Sequence, residues 1–223
     1  MEKSIDELVQ ERTAQLQNLQ DGMVYVLSNL IENRSNGTVG KIELSTTYLK
    51  ILIEAMIARG VYAEELCKID INMLCSSARL YDVGKIVIPT AVLNKPGKLT
   101  DEEFEIMKTH AAQGVRIIDQ ISSRAGNNID FLVNARLFAG YHHERWDGRG
   151  YPYGVDRLNI PIQGRLMAVV DVYDALISER PYKQPFTPEE AARIVMDSAG
   201  EMFDPLIIEV FHDIEARFKE IER

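Results

Sequence analysis

The sequence is poor in cysteine, tryptophan, histidine and positive charge: its 223 residues include two cysteines, one tryptophan and four histidines, and the formal net charge is −9. That acidic balance excludes a protein whose main task is gripping long DNA or RNA, because neutralising phosphates needs a surplus of Lys and Arg. A small anionic ligand is not excluded, since local charge decides that. Cys67 and Cys75 lie in a stretch that reads as a buried helix, so the expectation is a pair of reduced core thiols and a cytoplasmic protein rather than a disulfide. No apolar run reaches the ~18 residues of a membrane helix. The acidic N-terminus also lacks the charged-then-apolar pattern of a secretory leader, which predicts a soluble, unexported chain. Strand-like alternation and internal repeats are missing too, which leaves the all-α class.

What is present is helical periodicity. From Ile5 through Val9, Arg12, Leu16, Leu19, Met23, Val26 and Leu30 the spacing alternates between four and three, the seam of a coiled coil with Arg12 its one polar member. Packing of this stripe on its own domain is the plainer alternative; its narrowness favours self-pairing into a homodimer. Asn33 to Gly40 breaks the periodicity, so residues 1–32 read as a linker helix and 33–223 as a bundle. Within the bundle, helices are predicted over Ile42–Ala58, Ile71–Leu80, Thr100–Ser123, Phe131–His143, Gly164–Ile177, Thr187–Gly200 and Asp204–Arg223. Thr100 with Glu103, and Thr187 with Pro188 and Glu190, are start signals in which side chains satisfy orphaned backbone N–H groups. Trp146 to Gln163 reads as a loop rich in Gly, Pro and Asp.

Three of the four histidines, His110, His142 and His143, fall at helix positions beside other metal-capable residues; His212 stands apart. A lone His is more often a satisfied core or surface residue than a ligand. With Asp82 at a helix end and Asp171 in an apolar stretch, however, the imidazole and carboxylate mixture suits Fe, Mn, Zn or Ni better than Ca or Mg. Asp171 is flanked by Val169, Val170 and Val172, where an ionised carboxylate needs a cation or hydrogen bonds. Asp174 shares its face and is a candidate supporting or ligand-binding group. The loop Asp147-Gly148-Arg149-Gly150-Tyr151-Pro152 has turn chemistry, which leaves Trp146 and Tyr151 unexplained. Aromatic faces beside a cation site suit stacking on a purine. Arg180 and Lys183 put two cations where phosphate oxygens could be held.

These residues resemble the HD-GYP family, a branch of the HD metal-dependent phosphohydrolases that hydrolyses cyclic di-GMP. The matching strings are Asp82-Val-Gly-Lys85, Leu93-Asn-Lys-Pro-Gly-Lys-Leu-Thr100, Met107-Lys-Thr-His110, His142-His-Glu-Arg-Trp-Asp-Gly-Arg-Gly-Tyr-Pro152, and Asp171-Val-Tyr-Asp-Ala-Leu176 followed by Arg180-Pro-Tyr-Lys183. They occur in the family's order. The resemblance implies an HD-type helical bundle and metal ligands at Asp82, His110, His142, His143 and Asp171. It further implies a catalytic role for Asp82 and Lys85, and nucleotide contacts from Tyr151, Asp174, Arg180 and Lys183. The Glu7 to Leu30 helix resembles the linker joining such domains to an upstream receiver domain in response regulators.

The chain departs from the family at three ligand positions. The name-giving His-Asp pair is Tyr81-Asp82, and an upstream Glu and His fall on Gly37 and Lys41 in an ungapped alignment. A phenol is a poor metal ligand at its usual pKa of ~10. The resemblance with these changes implies about one transition-metal ion, held by Asp82 and the three histidines, with the Lys41 ammonium in place of a second. Three functions stay open: a single-metal cyclic-di-GMP phosphodiesterase of weakened turnover, a cyclic-di-GMP-binding or protein-interaction module without hydrolysis, and a purely structural signalling domain.

Overall fold

The structure, a computed structural model, describes residues 4–35, 40–126, 129–179 and 184–221. Ten α-helices carry these residues, and among them the one trace of β-structure is a bridge between Ala199 and Phe203. None of the helices is long and apolar enough to cross a membrane.

Helix α1 (Ile5–Arg34) opens with a capping box in which Ser4 Oγ accepts from the Glu7 N–H while Glu7 accepts from the Ser4 N–H. It continues through Asn33 and Arg34, two residues beyond the expected break. Residues 4–19 are all exposed. Further along, the helix has two faces: Val24, Ser28 and Ile31 are buried against the bundle, whereas Leu19, Met23, Val26 and Leu30 are 54–62% exposed.

Helices α2 (Lys41–Ala58), α3 (Ala63–Leu66) and α4 (Ile71–Ala78) follow, then a 3-10 turn (Val83–Val87), α5 (Thr90–Leu93), α6 (Asp101–Ala125) and α7 (Asp130–Tyr141). After the long loop come α8 (Ile162–Ile177), α9 (Pro188–Asp197) and α10 (Pro205–Lys219). Both start signals read from the sequence are realised, with Thr100–Glu103 capping α6 and Thr187–Glu190 capping α9. Cys67 is exposed just after α3 and Cys75 is half-buried on α4, both free. The expected pair of core thiols is therefore corrected: the four-residue α3 interrupts the predicted stretch and turns Cys67 outward.

Two apolar clusters hold the bundle. In the larger, α2, α8, α9 and α10 meet around Tyr48, Tyr173, Phe211 and Phe218, with Tyr48 stacked on Phe218 at 4.7 Å between ring centres. Each fully buried large apolar side chain contributes about 1.5–3 kcal/mol relative to exposure. The smaller joins Val24 and Ile31 of α1 to Val83, Ile118 of α6, and Phe131, Leu132 and Ala135 of α7.

Candidate metal centre

Each element delivers its residue for a local reason. Asp82 lies directly before the 3-10 turn, and Gly84 in that turn packs so closely on α6 that an added Cβ would collide with the His110 carbonyl oxygen. The glycine thus lets Asp82 and Lys85 lie against the helix that carries His110. Helix α7 ends at Tyr141, so His142 caps it and His143 lies in the turn beyond; the predicted helix over Phe131–His143 is two residues too long. That turn lets two adjacent imidazoles face one space, with ring centres 4.1 Å apart. Asp171 and Asp174 project from α8, and Lys41 is the first residue of α2.

The three histidines place one ring nitrogen each within 4.8 Å of one another. His110 Nδ1 is 2.7 Å from the Met107 carbonyl oxygen and His142 Nδ1 is 2.9 Å from that of Phe138. Each Nδ1–H therefore donates to backbone, leaving the Nε2 lone pairs directed inward. The two Nε2 atoms are 3.2 Å apart. Two acceptors at that range repel unless a cation lies between them, and nitrogens each about 2.1 Å from one ion lie about 3.0–3.4 Å apart. Oδ1 of Asp82 is 3.5 Å from His110 Nε2 and 3.8 Å from His142 Nε2, buried, and without a hydrogen-bond donor among the described residues. This donor set fits a metal ion. Burial outweighs the attraction of Asp82 and pushes His110 down to about 4, and burial likewise lowers His142 and His143, so all three imidazoles are neutral, the form in which a ring nitrogen can bind a metal.

The carboxylates are compensated separately. Burial would raise Asp82, but Lys85, whose Nζ is 2.5 Å from Oδ2, holds it well below the usual carboxylate range. Lys41 Nζ is 3.3 Å from Asp171 Oδ1 and 3.5 Å from Asp174 Oδ2. Burial works against the Lys41 ammonium, yet Asp171, Asp174 and Asp82 raise its pKa overall, so it stays charged. Asp171 is correspondingly lowered against the effect of its own burial, chiefly by Lys41. The Tyr81 hydroxyl donates to Asp171 at 3.2 Å; burial and then Asp171 push its pKa well up, so it is a neutral donor here.

Tyr151 lies over His143, ring centres 4.7 Å apart and planes 31° from parallel, with Lys108 Nζ 5.8 Å from its ring on α6. The loop that carries it is pinned by Glu144, missed in the sequence: its buried carboxylate accepts from the N–H groups of Tyr153 and Gly154 at 2.7 and 3.2 Å. An acidic residue straight after two histidines was the one available sign. Asp147 adds a two-point pair with Arg145 at 3.0 and 2.7 Å. Trp146 is tied through its backbone to Met202 and Arg157. Asp82, His110, His142, His143, Asp171, Asp174, Tyr81, Lys41, Lys85 and Tyr151 are thus brought to one region, while His212 is exposed on α10 and away from it. Gly37, Arg180 and Lys183 lie outside the described residues.

This centre agrees with the family comparison: residues 25–207 match the HD domain, and the chain belongs to that family, in its HD-GYP type. It is similar to a protein of Vibrio cholerae named cyclic di-GMP phosphodiesterase, 44% identical over 89% of this chain and 40% of the relative. A Vibrio cholerae protein named 3'3'-cGAMP-specific phosphodiesterase 2 is 35% identical over 84% of this chain and 33% of its own length. A Xanthomonas campestris protein named cyclic di-GMP phosphodiesterase response regulator is 34% identical over 86% of this chain and 51% of its own. The chain therefore spans about half or less of the length of these relatives. Phosphohydrolases of the HD family are metal-dependent, in keeping with the histidine cluster.

Proposed function

We propose that this chain is a phosphodiesterase output domain acting on cyclic di-GMP, built around one transition-metal ion, Fe, Mn, Zn or Ni, and turning over slowly. The observation that carries it is the convergence of His110 and His142 Nε2 on the donorless Oδ1 of Asp82. When bound, the ion acts as a Lewis acid and lowers the pKa of water beside the phosphodiester. His110, His142, His143 and Asp82 hold it; Lys85 offsets charge on Asp82 and on an approaching phosphate. Tyr151 forms one wall, with a neutral hydroxyl able to donate to a phosphate oxygen. Arg180 and Lys183 are proposed to grip the phosphates, since Arg can bind two phosphate oxygens at once.

Turnover is slow in this reading because Lys41 occupies the place of a second cation. Its ammonium neutralises Asp171 and Asp174 but cannot acidify water or clamp two oxygens as a second metal does. The same pairing supports the alternative, a domain that binds the cyclic dinucleotide without hydrolysing it. The exposed face of α1 supports a homodimer, and its linker-like character supports an upstream receiver domain.

The test is metal analysis combined with turnover of cyclic di-GMP, with 3'3'-cGAMP in parallel, followed by chromatography of linear and mononucleotide products. One ion per chain with slow, metal-dependent appearance of linear product supports the proposal. Binding by calorimetry with no product assigns the binding module, and no binding at high nucleotide concentration discards both.

A further inference from the structure

The last turn of α1 is hydrogen-bonded to the backbone of Lys85 and of the two residues that flank Lys41. The Glu32 carboxylate, buried, accepts from the Ile42 N–H at 2.5 Å and from the Gly40 N–H at 3.2 Å, the two residues flanking Lys41. Two residues on, the Arg34 guanidinium donates to the carbonyl oxygens of Lys85 at 2.7 Å, of Ile86, and of Ile88 at 2.8 Å. One turn of one helix therefore grips the start of α2, where Lys41 meets Asp171, and the 3-10 turn, where Lys85 meets Asp82.

Capping alone would explain Glu32, since its oxygens satisfy N–H groups at the start of α2. It does not explain why a single turn reaches both cation-bearing segments, the second of them through Arg34 and Lys85, 51 residues apart. Lys41 has four flexible methylenes, so its ammonium stays between two carboxylates only while its Cα is fixed. Glu32 fixes that Cα from both sides. We infer that Glu32 and Arg34 are positioning residues: they set Lys41 and Lys85 against the metal-site carboxylates and join the exposed N-terminal helix to the charge balance of the centre. The inference rests on the single-ion reading above.

The experiment is a pair of double-mutant cycles on the full chain, read by calorimetric titration with Mn²⁺. Lys41→Met removes the competing cation, so a second, weaker Mn²⁺ step should tighten by roughly tenfold. Glu32→Ala should produce most of that change, and Glu32→Ala with Lys41→Met should add nothing to Lys41→Met alone. Arg34→Ala is read in the same way against Lys85→Met on the first Mn²⁺ step. If Glu32→Ala does not stay folded, Glu32→Gln, which keeps one acceptor, should give a smaller effect that also vanishes beside Lys41→Met. Additive effects in both cycles, with one tight ion in the wild type, overturn this inference and leave the single-ion reading intact. Two equally tight ions in the wild type overturn the single-ion reading, and with it the competition that the cycles report.

Discussion

His110 and His142 face each other through their Nε2 atoms at 3.2 Å, and each holds its other ring nitrogen on a backbone carbonyl. The backbone bonds leave neither ring free to turn away, so both Nε2 lone pairs are held toward one space, as the proposed metal ion would need. His142→Ala should lower affinity for Mn²⁺ or Zn²⁺ by about a hundredfold or more, through loss of a direct ligand. His212→Ala, on the exposed face of α10, should change nothing. Elemental analysis after dialysis and calorimetric titration measure both; unchanged affinity in His142→Ala would remove these histidines from the metal site.

Replacing Lys41 should also be visible as stability. Lys41→Met leaves Asp171 and Asp174 without their ammonium, and breaking a buried ion pair costs about 3–5 kcal/mol. With the Lys41 side chain 24% exposed, water recovers part of this, so about 1–3 kcal/mol is expected in metal-free protein. Added Mn²⁺ should return part of the loss, because a ligand that binds only the folded chain stabilises it. Thermal unfolding with EDTA and with Mn²⁺ separates the cases. A variant as stable as the wild type in EDTA would show that the lysine is not compensating these carboxylates.

Much of this was legible in the sequence because motifs carry local reasons. The capping boxes at Thr100 and Thr187 followed from residue type and spacing, and the ordered strings pointed to Asp82, His110 and His142, which the fold brings within 3.8 Å of one another. Lys41, singled out by the alignment, lies with its Nζ 3.3 Å from Asp171 Oδ1. Cys67 and the short α3 were not legible, since four helical residues give no periodicity to read. Glu32 and Arg34 were hidden for another reason: their partners are backbone groups 8 to 54 residues away, and backbone N–H and C=O groups leave no trace in side-chain patterns.

The loop bearing Tyr151 should loosen in acid through Asp147. The Arg145 guanidinium, against a smaller opposing effect of desolvation, lowers the Asp147 carboxyl from 3.8 to about 2. A depressed carboxyl stabilises the fold above its unfolded pKa and loses that contribution as pH falls through the folded value, so the window is from about pH 4 down to 2. The full shift would correspond to about 2.5 kcal/mol; near the surface, screening reduces it to about 1 kcal/mol. Asp147→Asn should thus be less stable than the wild type at pH 6, with the gap closing by about pH 2.5. A gap independent of pH would assign the effect to shape rather than charge.

The outer face of α1 should pair two copies of the chain. Val24, Ser28 and Ile31 already cover the bundle, yet Leu19, Met23, Val26 and Leu30 continue the four-and-three spacing on the opposite side at 54–62% exposure. Residues beside this seam, Gln15, Gln20, Gly22, Leu27 and Asn29, carry no charge, so two parallel copies meet no repulsion there. Arg12 is the weak point, a cation where the repeat asks for an apolar side chain. Leu19→Glu with Val26→Glu should therefore give a monomer, each change weakening association by about tenfold or more through lost burial and facing like charges. Because both side chains are exposed in the single chain, helicity and metal content should stay as in the wild type. Arg12→Leu should act in the opposite direction and tighten the dimer. Light scattering over a concentration series measures all three, and a wild type that stays monomeric at high concentration would leave the seam to a different partner.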